Sequence, residues 1–227
     1  MLYNAILAAG LGSLVSASPA YRRDATKYTS LSKSKGFNLI VNMTQPEHDF
    51  DPPVHNSFVT TIHVGAGLSQ IGTSPSKGPV FFQNGTTESQ TAGDSTVVTL
   101  GGTPPAPAGW KLKPDTKPEG FATGNLDFGP GTAGIALHED PVAYLVPEKF
   151  YACDEPLEYY QGKHFIVIRQ SVGGADVPEE CRPVRLLPQC ADLADLPKDA
   201  YANYDFALES PCYDNVSGIK WTEYSQF

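Results

Sequence analysis

The sequence predicts an all-β protein, an antiparallel β-sandwich or jelly roll with Gly/Pro-rich loops and two disulfide bonds. Three observations predict this class. Short runs of alternating apolar and polar residues recur along the chain, with clusters of glycine and proline between them. The 227 residues include 21 Gly and 20 Pro, which leave little room for long helices because an interior proline costs a helix about 3 kcal/mol. The four cysteines form an even set.

The predicted strands are short and begin at Gly36. They are residues 36–44, 57–64, 80–82, 96–100, 126–128, 134–137, 142–146, 164–169, 184–187 and 204–208. The one helix-like stretch, residues 190–204, is interrupted by Pro197, and residues 101–118 are the longest predicted loop. We therefore expect a single β domain over residues 36–215, followed by a C-terminal tail of residues 216–227.

The N-terminal segment has the features of a signal peptide, residues 1–17. Its apolar run, residues 5–15, is too short to span a membrane, which needs about 20 apolar residues. Val15 and Ala17 put small residues at positions −3 and −1 of a signal peptidase site. The dibasic pair at 22–23 then predicts a short pro-segment within a flexible lead-in, residues 18–35. The chain is thus predicted to be secreted and extracellular.

The charge of the secreted chain limits its partners. Residues 1–23 contain two arginines and no acidic residue, so their removal changes the formal net charge from −9 to −11. An acidic surface repels phosphate backbones, which argues against nucleic acid as a partner. It suits solubility, or a cationic or neutral partner such as a glycan.

The cysteines predict disulfides rather than a zinc site, because a zinc site needs closely spaced ligands and the chain has no CxxC. They are Cys153, Cys181, Cys190 and Cys212. If the segments 148–153, 163–171, 182–188 and 203–209 form an antiparallel meander, Cys153 pairs with Cys190, and Cys181 with Cys212. A bond between Cys181 and Cys190 would instead require the segment between them to bend back at its prolines.

Three N-x-S/T sequons predict glycosylation of an exported chain, at Asn42, Asn84 and Asn215. Asn84 lies in a turn-like sequence, which favours exposure. Asn42 lies inside a strand-like run and would have to point outward.

The chain has no established catalytic motif, because G-x-S-x-G, H-E-x-x-H and the P-loop are all absent. The polar cluster of residues 48–51 with His55 is typical of turn chemistry before two prolines, so we predict no metal site and no cofactor. The alternative is a hydrolase that uses two facing carboxylates. Its candidates are Asp127, Glu139, Asp140 and Asp154.

Aromatic residues give the best candidate for ligand binding. Tyr159, Tyr160 and Gln161 lie at a predicted hairpin tip, and Trp110 lies near polar residues. Sugar C–H faces stack on aromatic rings while sugar hydroxyls need polar partners, so such a tip suits a glycan. The alternative is that these rings simply cover the ends of the sandwich with their polar atoms in water.

Four segments resemble a family of secreted fungal proteins with a domain of unknown function, some of which are labelled IgE-binding protein. They are KSKGFNLIVNMT (33–44), SFVTTIHVGAGL (57–68), EKFYACDEPLEYYQGKHFIVIRQ (148–170) and CRPVRLLPQC (181–190). The resemblance implies an extracellular β domain. It supplies no catalytic motif, and hence no active-site residue.

Together these features favour a secreted, cell-wall-associated, non-enzymatic protein that binds glycan or acts as a surface or interaction protein. The expected partner is a cell-wall polysaccharide or a host protein. A carboxylate-based carbohydrate-active hydrolase and a secreted effector or elicitor are the two alternatives.

Overall fold

The computed structural model describes residues 29–116, 119–139, 141–174 and 176–224. The predicted signal peptide and the dibasic site lie outside these residues. The strands of the described chain are β1 (Ser32–Ser34), β2 (Gly36–Met43), β3 (Phe58–Gly65), β4 (Leu68–Ser74), β5 (Phe82–Asn84), β6 (Thr96–Gly101), β7 (Ala106–Pro114), β8 (Phe121–Phe128), β9 (Ala136–His138), β10 (Tyr144–Val146), β11 (Phe150–Leu157), β12 (Lys163–Ser171), β13 (Cys181–Ala191) and β14 (Ser210–Cys212). The predicted all-β class is confirmed.

Helices are short in the described residues. The one α-helix, α1, has six residues (Thr87–Ala92), and the 3-10 turns are Pro46–His48, Glu158–Tyr160, Val216–Gly218 and Trp221–Glu223. None of the helices in this part of the chain has the length and apolar character needed to cross a membrane.

The main sheet has ten strands in the order β11-β13-β2-β3-β4-β12-β8-β7-β6-β5. Because β11 also pairs with β12, the first six of these strands close into a ring. The other four form an arm. Phe81, which directly precedes the last arm strand β5, forms a β-bridge with Phe37 of β2, so the far edge of the arm contacts the ring. Every ladder between two strands of the described chain is antiparallel. The ring of strands and the arm are the two layers of a sandwich-like arrangement, and residues of both layers form the core.

Trp110 lies at the centre of the core, with none of its side chain exposed. Its ring centroid is 6.1 Å from that of Phe81 and 5.9 Å from that of Phe150. It projects from the arm strand β7, whereas Phe150 belongs to the ring strand β11, so Trp110 joins the two layers. The prediction that Trp110 lines a ligand site is therefore wrong, because no surface of the indole is left for a ligand.

The two predicted disulfides are present, but the predicted pairing is wrong. Cys153 is bonded to Cys181, and Cys190 to Cys212. The meander assumed from sequence would place β13 beside β12. Instead β13 pairs with the other edge of β11, which sets Cys153 directly opposite Cys181.

Segments at both ends of the described chain pack on the domain. Ser32–Ser34, within the predicted lead-in, pairs with Ser210–Cys212. In the predicted tail, Val216 is fully buried, and the Trp221 ring lies edge-on to Tyr213 at 5.4 Å. The packed domain therefore extends beyond residues 36–215 on both sides.

Candidate functional site

The β11–β12 hairpin ends in a tight turn that presents aromatic side chains. After the 3-10 turn Glu158–Tyr160, Gln161 and Gly162 both adopt positive φ, of 56° and 82°. The amide N–H of Gln161 donates to the carbonyl oxygen of Glu158, and that of Gly162 to Leu157, at 2.9 and 3.0 Å. The reversal needs left-handed backbone, which glycine adopts without a steric penalty.

Four rings form a continuous surface at this tip, which we call the aromatic patch: His63, Tyr159, Tyr160 and Phe165. The ring centroids of His63 and Tyr159 are 5.4 Å apart, those of Tyr159 and Tyr160 5.2 Å, and those of Tyr160 and Phe165 4.8 Å. Tyr159 is 55% exposed. The Lys163 Nζ atom lies 5.4 Å from the Phe165 centroid and adds a cation at the edge of the patch.

A small hydrophobic cluster supports the patch from below. Ile62, Leu157 and Val167 are buried there together with the disulfide between Cys153 and Cys181, and Tyr160 and Phe165 of the patch pack against them. The patch therefore rests on paired strands and a covalent cross-link rather than on a mobile loop. Such support limits the conformational entropy that the rings lose when they bind a ligand.

An arginine cluster lies on the same face of β12, since Phe165, Val167 and Arg169 alternate with inward residues. The Arg169 Nη1 atom is 2.7 Å from Asp115 Oδ2, Nη2 donates to Glu155 Oε2 at 2.6 Å, and Nε also pairs with Glu155. Thr123 Oγ1 donates to Asp115 Oδ1 at 2.6 Å. The cluster is about 13 Å from Phe165, at about 3.3 Å per residue.

These charges satisfy one another and brace the sheet. Burial disfavours the charged guanidinium, but the hydrogen bonds and charges of Glu155 and Asp115 outweigh it and raise the pKa of Arg169 above its ordinary value. The cluster ties β12 to β11 and to the end of β7. It therefore fixes the hairpin that holds the aromatic patch.

Three of the carboxylates that the hydrolase hypothesis would use are described, and each contacts a different basic side chain. Asp127 is buried, and its Oδ2 atom is 2.5 Å from Lys113 Nζ. Glu139 lies 2.7 Å from Lys33 Nζ. Asp154 lies 2.9 Å from the His164 ring nitrogen Nδ1. Asp140 lies outside the described residues. Among the described candidates, each carboxylate thus has its own basic partner.

The polar cluster at residues 48–55 organises a loop, as turn chemistry predicts. Asp49 Oδ1 accepts hydrogen bonds from the amides of Phe50 and Val54, at 2.7 and 3.0 Å, and Oδ2 accepts from that of His55 at 2.9 Å. His55 Nδ1 in turn accepts from the Met43 amide at 3.2 Å. The bonds of one carboxylate and one imidazole hold the loop against β2.

His55 makes the stability of this loop depend on pH. Burial lowers the pKa of His55 below its ordinary value, and the nearby Asp49 charge only partly opposes this effect. The unfolded chain therefore takes up the proton first as the pH falls below about 6.5, so the folded state should lose stability on acidification through this range. We expect the unfolding free energy to fall between pH 7.5 and 5.5.

The change His55→Asn keeps an acceptor, Oδ1, for the Met43 amide but removes the titratable group. Urea unfolding at both pH values should show a smaller pH dependence for this variant than for the native chain. Equal pH dependence in the two proteins would exclude His55 as its source.

The three sequons differ in their accessibility. Asn42 is 4% exposed in β2, which leaves no room for a glycan in the folded chain. Asn84 is half-buried at the end of β5. Asn215 is exposed, and its Oδ1 atom accepts a hydrogen bond from Ser217 Oγ of the same sequon at 2.9 Å.

Comparison of the sequence with models of known families identifies the family of this chain. A family model described as a domain of unknown function, DUF7907, matches residues 34–190. The chain belongs to the DUF7907 family. The matched residues include the whole aromatic patch and the arginine cluster, so both are features of the DUF7907 domain in this chain.

A fungal relative supports the same assignment. The DUF7907 protein is similar to antigenic protein SchS34 of Stachybotrys chartarum, with 45% identity over 215 residues that cover 90% of this chain and 97% of the relative. The predicted resemblance to a fungal family of unknown function is thereby confirmed, whereas neither comparison bears on IgE binding. No solved structure matches the chain.

Proposed function

We propose that this DUF7907 protein is a secreted, non-enzymatic protein that binds glycan at the fungal cell wall through the aromatic patch. The observation that supports the proposal is the continuous row of four rings, with Tyr159 exposed and with Tyr160 and Phe165 packed on a cross-linked base.

The chemistry of the patch suits a neutral polysaccharide. Exposed ring faces stack against the C–H faces of sugars, while the Tyr159 hydroxyl, the Gln161 amide and the Lys163 ammonium can exchange hydrogen bonds with sugar hydroxyls. Gln161 and Lys163 are exposed on either side of Gly162 and hence lie beside the rings.

Extracellular features support the proposed location. Two disulfides are typical of chains that fold in an oxidising compartment, and among the described residues no cysteine is free. The name of the relative SchS34 records antigenicity, which fits a surface or antigen-like protein. Within this proposal, residues 1–17 are the signal peptide, and Asn84 and Asn215 are the glycosylation sites.

The proposal predicts that Tyr159→Ala weakens binding to insoluble chitin or β-glucan by about two- to tenfold. One stacked ring contributes about 0.5–1.5 kcal/mol, and 1.4 kcal/mol is a tenfold change in affinity. The measurement is a depletion isotherm with the purified, disulfide-bonded chain. Tyr201→Ala is the matched control because Tyr201 is 76% exposed and outside the patch.

The control variant should bind like the native chain. If Tyr159→Ala and Tyr201→Ala reduce binding equally, the patch is not the binding surface. If the native chain is retained on neither polysaccharide, the glycan proposal fails, and a host protein becomes the partner to test.

A further inference from the structure

A cleft opens on the opposite face of the β11–β12 hairpin from the aromatic patch. Asp154 and Ile166 are a directly opposed cross-strand pair, and they alternate with Glu155 and Phe165 of the patch side. The cleft lies between this pair, the end of β4 and the loop held by Asp49, and its volume is about 300 Å³. That volume is at the lower end of the range for small-ligand sites.

The walls of the cleft combine apolar surface with hydroxyl groups. Phe50 and the prolines at 52, 53 and 75 provide flat apolar surface. Ser57, Thr73 and Ser74 provide hydroxyls. Ser57 is buried and donates its own proton to the Val54 carbonyl oxygen at 2.6 Å, so its lone pairs can accept a hydrogen bond from a ligand.

The loop that forms one wall is already fixed. Besides the three bonds to Asp49, the amide of Asn56 donates to the Val41 carbonyl oxygen at 2.8 Å, and the amide of Ser57 to that of Val54 at 2.9 Å. A wall that is ordered before binding does not have to lose conformational entropy when a ligand arrives.

The charged residues that line the cleft indicate the charge of its ligand. Among the described residues that line it, Asp51 and Asp154 are the charged ones. Arg182 is outside this lining, and its guanidinium carbon lies 5.8 Å from the centroid of the Phe50 ring. The His164 ring contacts Asp154 through one oxygen, Oδ1. A ligand that complements this lining has a positive charge, several hydroxyls and an apolar face.

We propose that this cleft binds a protonated amino sugar, with its ammonium group at Asp51 and Asp154. The ring hydroxyls face Ser57, Thr73 and Ser74, and the C–H face lies against Phe50 and the prolines. The site is separate from the aromatic patch and does not depend on the glycan proposal made for that patch.

The test is calorimetric titration of the disulfide-bonded chain with the glucosamine tetramer and with its fully N-acetylated counterpart, in which the positive charges are absent. We expect the glucosamine tetramer to bind more tightly. Asp51→Asn and Asp154→Asn should each weaken it by about two- to fivefold, because Asp51 is exposed and Asp154 partly exposed, so that water screens their charges. Asp94→Asn is the control, since Asp94 is exposed and outside the cleft.

The Asp94→Asn variant should bind like the native chain, and the thermal midpoint of each variant checks that it is folded. Equal affinity for the two tetramers, unchanged affinity in both cleft variants, or no binding at all would overturn the proposal. Repeating both titrations with the Tyr159→Ala chain removes the contribution of the aromatic patch, and the preference for the glucosamine tetramer should persist there, so the cleft and the aromatic patch can fail independently.

Discussion

Replacing Trp110 by alanine is expected to lower the free energy of unfolding by about 3–5 kcal/mol, a large part of the stability of a typical domain. The indole is fully buried and touches aromatic rings from both layers, among them Phe81 and Phe150. Loss of the indole would leave a cavity between the arm and the six-strand ring, and the side chains of one layer alone could not fill it. Trp110→Phe should cost less, because it keeps a ring there and removes a buried indole N–H that has no partner among the described residues.

Denaturant unfolding followed by far-ultraviolet circular dichroism measures both losses. Tyr201→Ala is the control for removal of an aromatic ring at an exposed position, and it should change stability by less than about 0.5 kcal/mol. A loss below about 1 kcal/mol for Trp110→Ala would show that the layers are not joined through this residue.

The second large effect is expected for Arg169→Met, which should also lower the unfolding free energy by about 3–5 kcal/mol. The side chains of Arg169, Asp115 and Glu155 are 13%, 12% and 15% exposed. Removing the guanidinium therefore leaves two nearly buried carboxylates without a cation. The cost arises chiefly from these uncompensated charges and less from the lost packing.

The triple variant Arg169→Met, Asp115→Asn, Glu155→Gln separates these causes. It removes the charges together, and we expect it to recover most of the stability lost in the single variant, again in denaturant unfolding. If the triple variant is as unstable as Arg169→Met, packing of the arginine stem is the dominant contribution and the electrostatic explanation fails.

The local sequence pattern was sufficient to predict a strand where apolar and polar residues alternate clearly. Residues 36–44 and 57–64 were predicted as strands, and Gly36–Met43 and Phe58–Gly65 are strands. Residues 101–118 were predicted as a loop because of their prolines, yet Ala106–Pro114 is a strand of the arm. The helix-like stretch 190–204 forms no helix, because its first two residues complete β13 and its cysteine is bonded to β14.

Long-range pairing explains the remaining errors. Trp110 is buried because the arm packs over the ring of strands. The disulfide pairing differs from the prediction because β13 pairs with β11. Neither is encoded in local spacing. At the aromatic patch, Tyr159 and Tyr160 were recognised from the hairpin tip, and Phe165 could have been found because it follows that tip in the next strand. His63 arrives from β3, and only the tertiary structure reveals it.

The most direct test of the account is a two-dimensional ¹⁵N–¹H NMR titration of the disulfide-bonded chain with a soluble β-glucan or N-acetylated chitin oligomer. We expect the perturbed amides to cluster at His63, residues 158–163 and Phe165, with the core around Trp110 unaffected. Saturable perturbation confined to another surface, or no perturbation with either oligomer, would contradict glycan recognition by the aromatic patch.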